Sequence, residues 1–150
     1  MSKKVLIADD EPNIVISLEF LLRREGFEVL VAVDGEEALA KARAERPDLV
    51  LLDVMMPEMD GLQVCQQIRA DETIAETPVI FVTALDSLAS ELRGLELGAV
   101  DYITKPVNLR LMKLRVRNQL ESRRQRNLIK EQNALLWRQK EELQATLDCN

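Results

Sequence analysis

Leu49-Val50-Leu51-Leu52-Asp53 is four apolar residues in a row closed by an acid. A strand with one wet face alternates apolar and polar residues, so an unbroken apolar run of this length marks a strand covered on both faces. Val5-Leu6-Ile7-Ala8 and Val79-Ile80-Phe81-Val82 have the same character, and each is closed by a polar residue, Asp9 and Thr83. These three runs are expected to form the middle of a parallel sheet. Glu28–Ala32 and residues 101–103 are two further strand candidates.

Between the runs lie stretches long enough for crossover helices: Pro12 to Glu25, Gly35 to Glu45, residues 62–70 and residues 87–97. Ile14, Leu18, Leu21 and Leu22 recur at helical spacing in the first. Asp34-Gly35 and Asp60-Gly61 read as helix starts, while Pro47 and Gly98 follow helix ends. The order is (βα)₅, an α/β chain with a parallel sheet covered by helices on both faces. From 109 to 147 there is neither Gly nor Pro, which predicts one helix of nearly forty residues. At about 1.5 Å per residue such a helix outruns a domain of this size, so its second half must project or meet a partner.

The chain has 150 residues, 47% of them apolar and 31% charged, which suits a folded domain with an appendage and excludes two large domains. Residues 1–108 carry 10 cations against 21 acids, a net −11, and residues 109–150 carry a net +5. An acidic body argues against nucleic-acid binding there and confines that option to the tail. The absence of histidine excludes His-based metal sites and His general bases. Cys65 and Cys149 make no disulfide framework, and Cys65 sits on an apolar helical face with Val64 and Ile68. With no signal peptide in the opening residues and no apolar run near 20 residues, a cytoplasmic protein without membrane insertion is expected.

Asp9-Asp10, Asp53, Thr83 and Lys105 all fall at carboxyl ends of the strand candidates. In an open parallel sheet those ends border one crevice, where doubly wound folds bind ligands. Three clustered carboxylates repel one another unless a cation joins them, and an all-oxygen set suits Mg²⁺ rather than zinc. Lys105 adds a point charge for a phosphate oxygen, Thr83 a hydroxyl, and a carboxylate can itself accept a phosphoryl group.

Ala8-Asp9-Asp10-Glu11, the run from Leu51 through Asp53-Val54-Met55-Met56-Pro57 to Asp60-Gly61, Val82-Thr83-Ala84, and Gly98-Ala99-Val100-Asp101-Tyr102-Ile103-Thr104-Lys105-Pro106 together resemble the signature of response-regulator receiver domains of two-component systems. The resemblance covers residues 3–120 and leaves 121–150 as a helical extension, either a coiled coil or a linker to an output domain. It implies a flavodoxin-like doubly wound three-layer sandwich with strand order 2-1-3-4-5. It further implies Asp53 as phosphoacceptor, Asp10 as a direct Mg²⁺ ligand with Asp9 acting through water, and the backbone carbonyl of Met55 as another ligand. Thr83 and Lys105 would contact the phosphoryl group, and Thr83 and Tyr102 would move together as the switch. The implied partner is a histidine kinase or histidine phosphotransfer protein. The implied output is a change in the surface made by the fourth helix, the fifth strand and the fifth helix.

Taken singly, these residues have blander readings. Asp9-Asp10 suits a solvated helix cap, Thr83 a β-branched strand residue, Lys105 loop charge and Tyr102 half-buried packing. Asp53 resists such a reading, because a carboxylate closing so apolar a run costs several kcal/mol unless it is paired. A flavin or nucleotide binder of the same fold class needs a phosphate cradle where Asp9-Asp10-Glu11 stands. An aspartyl-nucleophile hydrolase of the haloacid dehalogenase kind would carry a second Asp at position 55, which is Met.

In the tail, Ile129, Leu136 and Leu143 repeat every seven residues with Leu128, Leu135 and Leu147 beside them, which suggests a short, partly polar coiled-coil seam and a homodimer. The basic stretch from Arg110 to Arg126 resembles a basic-region zipper on its surface; a helix face docked on an acidic body is the simpler reading, with DNA binding as the alternative output.

Overall fold

The computed structural model describes residues 2–83, 96 and 98–148, with the side chains of 83 and 145–148 excepted. The element order is β1 (Lys4–Ala8), α1 (Pro12–Arg24), β2 (Glu28–Ala32), α2 (Gly35–Glu45), β3 (Leu49–Asp53), α3 (Gly61–Ala70), β4 (Val79–Thr83), β5 (Asp101–Thr104) and α4 (Leu109–Asp148). The helix expected over 87–97 lies outside the described residues. The five strands form one sheet in the order β2-β1-β3-β4-β5, and every neighbouring pair is parallel. The three continuously apolar runs are its three central strands, as their two-sided burial requires.

Alternate residues of each strand feed opposite layers. Leu6, Ala8, Val50 and Leu52 pack with Ala38, Leu39, Val64 and Ile68 from α2 and α3. Val5, Ile7, Leu49 and Leu51 pack with Leu18 and Leu22 of α1 and with Met112 and Val116 of α4. The result is the three-layer sandwich that the strand and helix order implied.

Local chemistry fixes the helix ends close to the strand termini. Pro12 opens α1. The N–H groups of Gly26 and Phe27 donate to Arg23 O and Leu22 O, a Schellman closure that needs the positive φ Gly26 adopts. Asp34 caps α2 by accepting from Glu37 N at 2.8 Å. Asp60 and Gln63 form a reciprocal capping box at the start of α3.

The first three turns of α4 dock through Met112, Val116 and Leu120, one face at a spacing of four. Charge complementarity adds to this apolar stripe: Lys113 and Arg117 both reach Glu25, and Arg115 reaches Asp101. Arg123 donates to Asp48 O at 2.8 Å, and Lys130 pairs with Glu76. Surface ion pairs contribute little net stability, so they set the path of the helix more than its stability. Beyond Lys130 the described side chains are all exposed, including Leu135, Leu136, Trp137 and Leu143. No helix among the described residues is long and apolar enough to cross a membrane.

Arg69 of α3 ties together the two loops at the amino ends of β4 and β5, donating to Ala75 O and Thr77 O in the first and to Gly98 O in the second. Gly98 has φ +96, and a Cβ there would stand 2.9 Å from Arg69 Nε. Gly98→Ala is therefore expected to lower stability by about 1–2 kcal/mol through backbone strain and displacement of the guanidinium, read as a lower urea midpoint at unchanged slope.

Candidate functional site

β1 and β3 are adjacent and in register, Ala8 opposite Leu52, so the residues that follow them emerge side by side at the carboxyl edge. Asp9, Asp10 and Asp53 there bring one carboxylate oxygen each within 4.8 Å of one another. Asp9 and Asp53 are 2% and 3% exposed, whereas Asp10 faces solvent. The chain turns back on itself around these groups: Glu11 N donates to Asp9 Oδ1 at 2.9 Å, and Met55 N to Asp53 Oδ1 at 3.2 Å.

Lys105, just past β5 and joined to Pro106 by a cis peptide, supplies the opposing charge. Its Nζ lies 3.3 Å from Asp53 Oδ2, 3.4 Å from Asp9 Oδ2 and 2.8 Å from Glu11 Oε1. Burial would lower its pKa, but the hydrogen bond to Glu11 and the charges of Asp53 and Asp9 outweigh that and raise it. Asp53 is pushed up to about 6, first by burial and then by the neighbouring Asp9 charge, against the opposing pull of Lys105 and the Met55 N–H. One ammonium thus faces three acidic groups within 3.4 Å, and Asp10 stands beside them.

Asp9 Oδ2 is buried and accepts no hydrogen bond among the described residues, although Lys105 Nζ is 3.4 Å away. A buried oxygen left so is costly unless another positive group approaches it. The donors present are hard carboxylate oxygens, with neither imidazole nor thiolate among them. That set fits a small divalent cation of the Mg²⁺ type.

Of the other residues singled out from sequence, Tyr102 lies on β5 and packs, half-buried, against the α2/α3 layer. Met55 is 69% exposed, so its side chain takes no part in the core. Thr83 ends β4 opposite Thr104, at the same carboxyl edge; its side chain lies outside the described groups. Cys65 is buried, as its apolar face requires.

Two participants were not singled out from sequence. Glu11 directly follows Asp9-Asp10, but nothing local foretells its bond to a lysine 94 positions away. The local sequence marks Gly61 only as a helix start. A Cβ at Gly61 would lie 2.2 Å from Asp53 O, so the missing side chain is what lets α3 begin directly against the residue that carries the buried carboxylate.

The chain matches the family model described as the response regulator receiver domain over residues 5–117. It is 48% identical over 117 residues to the alkaline phosphatase synthesis transcriptional regulatory protein PhoP of Bacillus subtilis (strain 168), covering 78% of this chain and 48% of that protein. It is also 48% identical over 118 residues to a probable transcriptional regulator, ycf27, of Cyanophora paradoxa, covering 79% of this chain and 48% of that protein. The chain thus spans about half the length of these relatives. Among solved structures, a CheY-like response regulator receiver domain protein from Methanospirillum hungatei JF-1 superposes with a TM-score of 0.79 at 32% identity, covering 84% of this chain and 99% of that one. Family model, relatives, sheet order and acidic crevice agree, and the chain belongs to the response regulator receiver family of two-component signalling proteins.

Proposed function

We propose that the chain is a cytoplasmic, phosphorylatable switch whose acceptor is Asp53. A carboxylate oxygen of Asp53 attacks the phosphorus of a phosphohistidine on a histidine kinase or histidine phosphotransfer protein, or of a small acyl phosphate. The new P–O bond forms as the bond from phosphorus to the donor breaks, and the donor leaves with the electron pair. The observation that carries this reading is a buried carboxylate crowded by a second buried acid, with a single ammonium 3.3 Å away. Asp9, Asp10, Asp53 and the Met55 carbonyl would hold Mg²⁺, which when bound supplies the positive charge that lets an anionic phosphoryl group approach an anionic acceptor. Lys105 would leave its carboxylate partners to pair with a phosphoryl oxygen, and the Thr83 hydroxyl would donate to another.

Turnover is limited to the protein's own acyl phosphate, formed and slowly hydrolysed, so the role is regulatory. Thr83 and Tyr102 would carry the change to the surface around β5 and α4. The unit doing this is 3–120, and 121–150 transmits it. The exposed Ile129, Leu136 and Leu143 column supports a homodimer whose pairing or register responds to phosphorylation, with an output domain or protein beyond. Lys113, Arg115, Arg117, Arg123 and Lys130 are engaged with the body, which supports a docked helix over a DNA-binding one.

The test is incubation with acetyl phosphate and Mg²⁺, followed by borohydride reduction, which converts an aspartyl phosphate to homoserine, and peptide mapping. Homoserine at position 53 is the expected result. Modification elsewhere, or none, would defeat the assignment. In parallel, light scattering with Mg²⁺ and beryllium fluoride should shift the mass from monomer to dimer; a mass that does not change would remove dimerisation from the switch.

A further inference from the structure

At the opposite end of the sheet from Asp53, α4 passes over the loops that enter β4 and β5 and leaves a cavity of about 400 Å³. Ligand sites for small molecules begin at about 300 Å³, so this space exceeds what a lone ion needs. Among the described residues its wall carries four cations, Arg69 from α3 and Arg123, Arg126 and Lys130 from α4, against one acid, Glu76; Val100 supplies an apolar patch. In a chain of net charge −6, a hollow with three uncompensated positive charges is out of character.

The cations are not equivalent. The guanidinium of Arg69 is spent on the carbonyls of Ala75, Thr77 and Gly98, neutral groups that hold it in place without cancelling its charge. Burial lowers its pKa, the nearby Cys65 partly opposes this, and the charge of Arg126 lowers it further. Arg123 is held by the carbonyl of Asp48. Lys130 is the one with a carboxylate partner, Glu76. Arg126 makes no hydrogen bond or ion pair among the described residues and is exposed, so it is available to an incoming group. Positively charged concavities with low-dielectric walls concentrate anions, and guanidinium groups match phosphate oxygens two at a time.

We infer that this cavity is a binding site for a small anion carrying two linked phosphoryl groups, of the pyrophosphate or nucleoside diphosphate class. A diphosphate balances the three excess charges, whereas a single phosphate leaves part of them exposed. The organic part of a nucleotide would lie towards Val100. The strands are five residues long at most, about 17 Å, so such a ligand does not reach the Asp53 crevice. It bridges α3 and α4 instead, and ties the long helix to the body through Arg69, Arg123 and Arg126. Phosphate chemistry at this end would thus act on the helix independently of phosphorylation at the other.

The site is tested on the full chain in EDTA at fixed ionic strength, by calorimetric titration with pyrophosphate, ADP, phosphate and sulfate. Pyrophosphate and ADP are expected to saturate one site, with phosphate and sulfate at least about tenfold weaker. Arg126→Glu should weaken pyrophosphate binding about tenfold or more, Arg126→Ala less, and Asp53→Asn should leave it unchanged. Circular dichroism of the Arg126 variants verifies that the helix is intact. Sulfate binding as tight as pyrophosphate would reduce the cavity to a diffuse basic surface and overturn the inference. So would unaltered binding in Arg126→Glu, loss of binding in Asp53→Asn, or binding of a DNA duplex with none of pyrophosphate.

Discussion

Asp53→Asn is expected to raise the melting temperature of the metal-free protein at pH 7.5 while abolishing phosphorylation. The carboxylate is 3% exposed and faces Asp9, so burial and like charge hold its pKa at about 6 against the usual 3.8. At pH 7.5 it is ionised in the fold at a cost that the unfolded chain does not bear. Asparagine keeps the shape and an oxygen for the Met55 N–H, removes the charge, and leaves Lys105 its contacts with Glu11 and Asp9. A rise of about 2–4 °C is expected, the change that 1 kcal/mol makes in a domain of this size.

The pH dependence gives the sign. Asp53 binds its proton more tightly when folded, so its contribution to stability is lost as pH rises through about 6 and recovered as pH falls towards 3.8. The wild-type and Asp53→Asn melting temperatures should therefore converge near pH 4, separate progressively between about pH 4 and 6, and keep a constant difference above that. Glu25, Asp71 and Glu76 work in the other direction, held below the usual carboxylate value chiefly by side-chain hydrogen bonds from Lys113, Thr73 and Lys130. They are common to both proteins and cancel in the difference. Millimolar Mg²⁺ should reverse the ranking at pH 7.5, because a ligand that binds only the folded state stabilises it, and a neutral amide in place of the Asp53 carboxylate offers a weaker site. A melting temperature for Asp53→Asn below wild type in EDTA at pH 7.5 would mean that the carboxylate is not under strain.

Gly61→Ala is expected to cost more than its single methyl suggests. The added Cβ would meet Asp53 O at 2.2 Å, with Asp53 C and Val54 Cα both at 2.9 Å. All three are backbone atoms of β3 and its exit, so no rotamer change relieves the contact. Gly61 N also donates to Val54 O at 2.9 Å, which fixes the start of α3 against the same segment. Either the helix start or the end of β3 must move, at about 1–3 kcal/mol for overpacking. A displacement near 1 Å at a reacting group can cost about 10²-fold in rate, so labelling by acetyl phosphate should slow by about that factor. Gly26→Ala is the control. It has φ +90 but nothing within 4 Å of its Cβ, so it should lose only about 1 kcal/mol and label at the wild-type rate. Wild-type labelling in Gly61→Ala would show that the close approach has no bearing on the site.

Much of this architecture was legible in the sequence. Val5–Ala8, Leu49–Leu52 and Val79–Val82 are apolar on both faces, and the sheet places them at its centre. Asp34 and Asp60 punctuate helices by chemistry confined to a few neighbouring residues. The absence of Gly and Pro after Leu109 likewise announced one long helix, which runs to Asp148. Such features follow from the backbone periods of strand and helix and from caps spanning one turn, all of which are local.

The sequence by itself therefore determined the order of elements, the layers they form and the sheet edge at which Asp9, Asp10, Asp53 and Lys105 emerge. Only the tertiary structure decided that Asp9 is buried while Asp10 is wet, that Glu11 shares Lys105, that Gly61 lies against Asp53 O, and that Arg69 joins three cations of α4 around one cavity. The reason is range. Periodicity and capping are set within a few residues, whereas these approaches join positions up to 94 residues apart and depend on how all the layers pack at once.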